Sequence, residues 1–380
     1  MILKGKDSEH MKIIVSGGGT GGHIYPALTL IRTMEKKVQN LEVLYVGTHQ
    51  GLEADIIPKE GIPFETVDLQ GFKRSLSPEN FFRAAKAIRG VGRAMGIVKK
   101  FRPDVVIGTG GYVCGPVLMA ASLLGIATLI QEQNVIPGIT NKILSRFVDR
   151  IATGYQEANG SFPAGKVVFT GNPIRSQVMW ERCKEDYEAF GLKPGAKTVL
   201  VSGGSRGARS INMAMVDVLR HYEGRSDVQI IHATGQAEYD DVMNRIRLLG
   251  IDLELSDNLQ VRPYLYNMPQ AMAIADLAVF RAGATGLAEL TAKGIPAILV
   301  PYPYAAENHQ EFNARAVEKT GAARVILNKD LTGELLIKNI DELLSDEAGL
   351  KSMSKASKSL GRPQAADTIA ELILELARSR

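Results

Sequence analysis

From residue 11 onward, short apolar runs alternate with longer segments whose apolar residues recur every three or four positions. Residues 13–15, 43–46, 105–107 and 128–131 read as strands, and 24–34, 78–99 and 116–124 as helices. Strands this apolar, separated by helices, predict a parallel sheet covered on both faces. Gly171 and Pro173 interrupt the pattern, and a linker is expected there. A second cycle follows. Strands are predicted at 198–201, 229–232, 259–262, 277–280 and 297–300, and helices at 211–219, 240–249 and 268–273. The fold class is therefore α/β, with two Rossmann-like doubly wound domains facing one another across a cleft. The first spans 11–171 and the second 172–362. A final amphipathic helix at 363–380 carries Ile369, Leu372, Ile373 and Leu376 on one face and is expected to pack back on the first domain.

Composition changes this picture little. A chain of 380 residues suits two domains. Its net charge of +4 is small, so basic character matters only where it is local. Cys114 and Cys183 stand far apart, which argues against a disulfide framework or a cysteine metal site and fits a reducing cytoplasm. The longest nearly apolar run, 117–130, is too short to span a bilayer, and Gly125 is expected to split it into helix and strand. The polar residues before Met11 lack an apolar signal core and are expected to lie outside the fold, with Met1 and Met11 both open as the start.

The candidate chemistry lies at the carboxyl ends of the strands, where open α/β sheets bind ligands. Ser16-Gly17-Gly18-Gly19-Thr20-Gly21-Gly22-His23 joins the first strand to the first helix. Such a turn brings bare N–H groups and a helix N-terminus to one point, which attracts phosphate. A tight turn without a ligand is the alternative. Gly17, Gly19 and Gly22 satisfy G-x-G-x-x-G, but the next strand ends in Gly47-Thr48 with no acid for a ribose, which disfavours a dinucleotide oxidoreductase. Gly108-Thr109-Gly110-Gly111-Tyr112 and Gln131-Glu132-Gln133-Asn134 follow later strands. In the second half, Ser202-Gly203-Gly204-Ser205-Arg206-Gly207 repeats the glycine turn without a Walker lysine. Arg281-Ala282-Gly283-Ala284-Thr285-Gly286 opens a helix bearing Glu289, whose carboxylate can accept from two sugar hydroxyls at once. A solvated helix residue is the bland alternative for Glu289.

Residues 72–102 hold Lys73, Arg74, Arg83, Lys86, Arg89, Arg93, Lys99, Lys100 and Arg102 against the single acid Glu79, with Phe81 and Phe82 among the apolar residues between them. A basic amphipathic stretch suits an anionic membrane surface. A sheet-packed helix with a basic outer face is the alternative. Few aromatics and no recognisable motif argue against nucleic acid.

Six motifs, at 17–23, 108–113, 132–134, 171–175, 203–208 and 281–285, stand in order, and together the chain resembles the peptidoglycan N-acetylglucosaminyltransferases. The resemblance covers 11–380. It implies a glycosyltransferase B fold and transfer of GlcNAc from UDP-GlcNAc to the MurNAc 4-hydroxyl of undecaprenyl-linked lipid I, at the cytoplasmic face of the cell membrane. It also implies the site residues. Arg175 and Ser205 would lie near the donor diphosphate, Ala284, Thr285 and Gly286 near nucleotide and phosphates, Glu289 at the ribose, and His309 and Gln310 at the GlcNAc. Thr20, Gly21, Gly22 and Asn134 are counted with the donor, and Gly18, Gly19, Gly110, Gly111 and Tyr112 with the acceptor. Lys73, Arg74, Phe81, Phe82, Arg83, Lys86 and Arg89 would form the membrane face. The family commonly has His where this chain has Gln131, which accepts no proton at neutral pH, and some members have Gln where it has Arg206. His23 is then the candidate base, histidine having an ordinary pKa of roughly 6.5. A loop-capping role for His23 stays open. No paired acids flank the glycine turns, so neither metal nor cofactor is expected. A UDP-GlcNAc 2-epimerase of the same fold and a non-enzymatic nucleotide-sugar-binding protein are the competing readings.

Overall fold

Val43 to Val46 have apolar side chains at consecutive positions because the sheet they enter is covered on both sides. In the computed structural model, which describes residues 10–67, 79–204 and 207–379 (for 79–88 the backbone only), β1 (His10–Ser16) leads to α1 (Gly21–Lys37), β2 (Asn40–Gly47), α2 (Glu53–Lys59), β3 (Phe64–Thr66), α3 (Glu79–Phe101), β4 (Val105–Gly108), α4 (Cys114–Leu123), β5 (Ala127–Glu132), α5 (Ile139–Leu144), β6 (Arg150–Thr153) and β7 (Val167–Phe169). These strands form one parallel sheet in the order β3-β2-β1-β4-β5-β6-β7. Ile13 and Val15 face one buried cluster with Ile24 and Ile31 of α1, whereas Ile14 faces another with Ile97 of α3 and Leu118 of α4. That two-sided burial is the period-2 consequence of a covered strand.

A second parallel sheet follows. Its elements are α6 (Lys184–Glu188), β8 (Lys197–Ser202), α7 (Arg209–Tyr222), β9 (Val228–Ala233), α8 (Tyr239–Leu248), β10 (Leu259–Arg262), α9 (Met268–Ile274), β11 (Leu277–Phe280), α10 (Ala284–Lys293), β12 (Ala297–Leu299), α11 (His309–Lys319), β13 (Ala323–Val325), α12 (Gly333–Ser345) and α13 (Glu347–Leu360). The strand order is β10-β9-β8-β11-β12-β13. α14 (Ala365–Arg378) closes the chain. The polypeptide divides into two compact units, Met1–Pro173 with Gln364–Arg380, and Ile174–Pro363. α14 belongs to the first, where Ile369, Ala370 and Ile373 are buried against α1 and the sheet, and Lys37 pairs with Asp367 and Glu371.

The long periodic elements stand where the pattern predicts them. The differences have local causes. α11 begins only at His309, because Glu307 (φ 51°) and Asn308 (φ 52°) before it are left-handed. Short β3, β6, β7 and β13 carry too few residues to show a period. α12 and α13 were not predicted. Their N-caps, Thr332 and Asp346, accept from Leu335 N and Gly349 N, a start signal readable in the sequence.

Candidate functional site

In both sheets the first strand of its unit lies between a strand reached in one direction and a strand reached in the other. Ser16 pairs with Val46 and Gly108, and Ser202 with Ala233 and Phe280. The loops after β1 and β4 therefore emerge side by side in unit 1, as do those after β8 and β11 in unit 2. These are topological switch points, where doubly wound sheets open a crevice.

In unit 1 the two glycine turns are built against each other. Gly18 N donates to Gly110 O at 3.2 Å. Gly111 is left-handed (φ 85°), and a Cβ there would stand 2.4 Å from Gly18 O, so no other residue fits without moving the first turn. Tyr45 Oη donates to Gly17 O, and Thr109 Oγ1 donates to His23 O at 2.8 Å. Cys114 lies fully buried beneath the turns, accepting from Gly110 N and donating to Ser16 O at 2.9 Å. Burial pushes its thiol up to about 12, so it stays a donor. Burial likewise drives the Tyr45 phenol well above its ordinary range.

His23 sits in the first turn of α1. Its Nδ1 lies 2.8 Å from Gly18 O, and a carbonyl can only accept, so Nδ1 carries the proton and donates. Nε2 is then the basic nitrogen, and it has no partner among the described residues. The ring lies against Gly110, where a Cβ would meet Nε2 at 3.0 Å. The turn thus does hold His23, and the same bond leaves the far nitrogen open. Thr20 does not cap α1, its first turn holds no acid, and the N–H groups of Thr20, Gly21 and Gly22 have no acceptor among the described residues. Tyr112, partly exposed, approaches Gly19 from the neighbouring turn.

The polar stretch after β5 divides by burial. Gln131 is fully buried and donates to Asn172 Oδ1 at 2.9 Å, and Asn172 returns a bond to Gln133 O. Glu132, also buried, accepts from Asn134 N, Gly138 N and Asn141 Nδ2. Gln131, Glu132 and Gln133 hold the loop together and are not exposed to a ligand. Asn134 alone of the four is partly exposed.

In unit 2, Gly204 (φ 90°) and Gly207 (φ 78°) bend the loop after β8, and a Cβ on Gly207 would strike Thr234 O at 2.1 Å. Ser205 and Arg206 lie outside the described residues. α7 and α10 begin without capping side chains and without acids in their first turns. Among the described residues, the N–H groups of Ala284, Thr285 and Gly286 have no acceptor and the buried Thr285 Oγ1 has no partner. A buried hydroxyl without a partner is costly unless a ligand satisfies it. Glu289 and Arg175 meet each other. Arg175 Nε donates to Oε1 at 2.8 Å and Nη2 to Oε2 at 3.1 Å, with Glu289 buried. Gln310 accepts from Tyr302 N through Oε1, and His309, partly exposed, starts α11.

Sequence reasoning gave two residues here no role. Arg281 donates to Val300 O, Pro301 O, Asn328 Oδ1 and Ser210 Oγ, tying four segments at the switch point, and burial lowers its guanidinium to about 10. It remains charged at neutral pH. Glu53, under the first glycine turn, was also missed. Both gave only one signal in the sequence, a charged residue near a glycine loop.

Arg89, Arg93, Lys99 and Lys100 are exposed on α3, while Ala94, Ile97 and Val98 of the same helix are buried on the sheet. The outer face is therefore basic and the apolar residues there are core. Lys73 and Arg74 lie outside the described residues, as do the side chains of Phe81, Phe82, Arg83 and Lys86. α4 packs between α3 and α5. There Leu123, Ile139, Ile143 and Phe147 are exposed beside the exposed Lys142 and Arg146. Sequence reading missed this patch because α5 is too short to display a period. No helix among the described residues is long and apolar enough to cross a membrane.

Two family models match the chain, the glycosyltransferase family 28 N-terminal domain over residues 13–153 and the family 28 C-terminal domain over residues 198–369. The chain is 49% identical over 364 residues to the UDP-N-acetylglucosamine–N-acetylmuramyl-(pentapeptide) pyrophosphoryl-undecaprenol N-acetylglucosamine transferase of Desulforamulus reducens, covering 96% of this chain and 98% of that one. It is 48% identical to the enzyme of the same name from Listeria monocytogenes, covering 97% and 100%. Among solved structures, MurG of Acinetobacter baumannii superposes with a TM-score of 0.75 at 29% identity, over 96% of this chain and 99% of that one. A putative UDP-N-acetylglucosamine 2-epimerase from Listeria monocytogenes reaches 0.69 at 15% identity over 98% of each chain, a likeness of fold alone. With glycine turns, sheet order and sequence in agreement, the chain belongs to glycosyltransferase family 28, in the family of the UDP-N-acetylglucosamine–N-acetylmuramyl-(pentapeptide) pyrophosphoryl-undecaprenol N-acetylglucosamine transferases.

Proposed function

We propose that this chain is an inverting hexosyltransferase that moves GlcNAc from UDP-GlcNAc to the 4-hydroxyl of MurNAc in lipid I, giving lipid II and UDP. The observation that carries the reading is His23, held with its proton on Nδ1 and Nε2 open, at the mouth of an uncapped glycine turn. The acceptor hydroxyl attacks the anomeric carbon from the face opposite the leaving group. The new C–O bond forms as the bond to the diphosphate oxygen breaks, UDP departs with the electron pair, and Nε2 takes the hydroxyl proton. Charge growing on the leaving diphosphate meets the free N–H groups at the start of α10 and the guanidinium of Arg175.

Unit 2 is the donor unit in this reading. Thr285 Oγ1, without a partner among the described residues, bonds to the phosphates or nucleotide, and Arg175 and Ser205 serve the diphosphate. Glu289 holds the ribose, and His309 and Gln310 hold the GlcNAc. Unit 1 takes the acceptor at Gly18, Gly19, Gly110, Gly111 and Tyr112, with Thr20, Gly21, Gly22 and Asn134 serving the donor. The enzyme docks peripherally on the cytoplasmic face of the membrane through the basic outer face of α3, joined by Ile139, Ile143 and Phe147. The 2-epimerase reading rests on fold likeness alone and does not account for that basic apolar surface.

The test uses radiolabelled UDP-GlcNAc, a lipid I analogue and butanol extraction. Label entering the lipid phase only with both enzyme and acceptor supports the transferase. Release of UDP or ManNAc from donor alone, with no lipid label, would move the assignment to the epimerase. In the same assay, His23→Gln is expected to lose turnover and keep UDP binding.

A further inference from the structure

Glu53 is a fully buried carboxylate for which the proposed reaction has no use so far. Space has been cleared for it. A Cβ on Gly18, Gly47 or Gly51 would lie 2.4, 2.6 or 2.1 Å from its side-chain atoms. Its oxygens accept from Gly19 N at 2.9 Å, Thr48 N at 3.1 Å and Thr48 Oγ1 at 2.8 Å, and no cation pairs with it among the described residues. A buried charge answered only by neutral donors is costly to keep. Tying down a turn needs only a neutral acceptor, so the charge itself calls for a reason.

The reason lies one peptide group away. Gly19 N–H and Gly18 C=O are the two ends of the same amide. At one end the amide donates to Glu53, and at the other it accepts from His23 Nδ1 at 2.8 Å. Hydrogen bonds in series polarise one another. A carboxylate on the N–H end makes the carbonyl a stronger acceptor, as a carboxylate bonded directly to a histidine fixes the tautomer and orientation of the ring.

We propose that Glu53 is a positioning residue for the base: through the Gly18–Gly19 peptide it holds His23 as the Nδ1–H tautomer and opposes the positive charge that the ring gains on taking the acceptor's proton. This rests on the reading of His23 as the base. The proton passes from the acceptor oxygen to Nε2, Nδ1 keeps its own, and none reaches Glu53.

The experiment uses the full chain labelled with ¹⁵N-histidine, the His23 signals being assigned by their loss in His23→Gln. With the imidazole neutral, the wild type is expected to show Nδ1–H almost alone. Glu53→Gln puts an amide N–H group among the donors that the carboxylate accepted from, and is expected to populate the Nε2–H form visibly. It should lower kcat about tenfold or more, with KM for UDP-GlcNAc held within about twofold. Glu53→Asp keeps the charge and serves if Glu53→Gln does not fold. It should retain the wild-type tautomer and more of the wild-type kcat than any neutral variant. An Nε2–H wild type overturns the proposal without any variant. So does a tautomer, or a kcat, that ignores the loss of the carboxylate. Turnover persisting in His23→Gln would instead remove His23 as the base, a separate result.

Discussion

The bidentate pair between Arg175 and Glu289 makes an asymmetric prediction. Glu289 has a side chain only 6% exposed, whereas that of Arg175 is 42% exposed. Two unit charges about 4 Å apart attract by about 4 kcal/mol at the effective dielectric of a protein surface and about 1 kcal/mol in bulk water. With one partner half in solvent, the coupling should fall between these limits, about 2 kcal/mol. The single substitutions should differ. In Glu289→Ala the guanidinium rehydrates, and the cost is about 1–2 kcal/mol. Arg175→Ala strands a buried carboxylate without its cation, and should cost about 3 kcal/mol. The double variant should cost less than the sum by about the coupling energy. The assay is denaturant unfolding of the four proteins of the cycle, following the transition that UDP shifts and that therefore reports unit 2. UDP-GlcNAc affinity by calorimetry gives a second cycle, in which both single variants should bind weakly, since each side chain sets the geometry of the other. Additivity within about 0.5 kcal/mol, or a larger cost for Glu289→Ala than for Arg175→Ala, would refute the reasoning.

Other predictions follow from single contacts. Gly111→Ala should lower stability by about 2 kcal/mol or more and abolish transfer, whereas Gly125→Ala, equally left-handed but in open space, should cost about 1 kcal/mol and leave transfer intact; thermal melts of both decide it. His232 is fully buried, and burial lowers its pKa to about 3, so the folded form stays neutral where the unfolded chain is protonated. Its contribution to stability is then complete above roughly pH 6.5 and lost as pH falls toward 3, at about 1.4 kcal/mol per pH unit; unfolding curves between pH 7 and 4.5 should show a slope that His232→Gln reduces. Ile143→Ser with Phe147→Ser should weaken sedimentation with phosphatidylglycerol vesicles about tenfold or more without lowering the melting temperature, both side chains being exposed. Arg89→Glu with Arg93→Glu should weaken it chiefly at low salt.

Much of this protein is decided by local sequence. The apolar runs set which segments are strands, because a residue that must be buried on both sides of a sheet cannot alternate with polar ones. The glycines of 17–22, 108–111 and 203–207 announce the turns, because left-handed φ at Gly19, Gly110, Gly111, Gly204 and Gly207 and contacts below 3 Å at Gly17, Gly18, Gly108 and Gly203 exclude a Cβ. The missing acids in the first turns of α1, α7 and α10 are readable too, whereas only the structure shows that Thr20 does not cap α1. Tertiary structure alone decided who meets whom. Arg175 and Glu289 are separated by more than a hundred positions and were read as serving different parts of a ligand, yet one chelates the other. Gln131 stands where the family commonly has a histidine, and it proves to be a buried strut to Asn172. Glu53 looks like any surface acid at the start of a helix, until Gly18 of the first turn, Gly47 at the end of β2 and Gly51 in the connection after it close around it. No periodicity marks such residues, because hydrogen bonds between loops depend on where strands end in space, and that is set by strand order and register across the whole sheet.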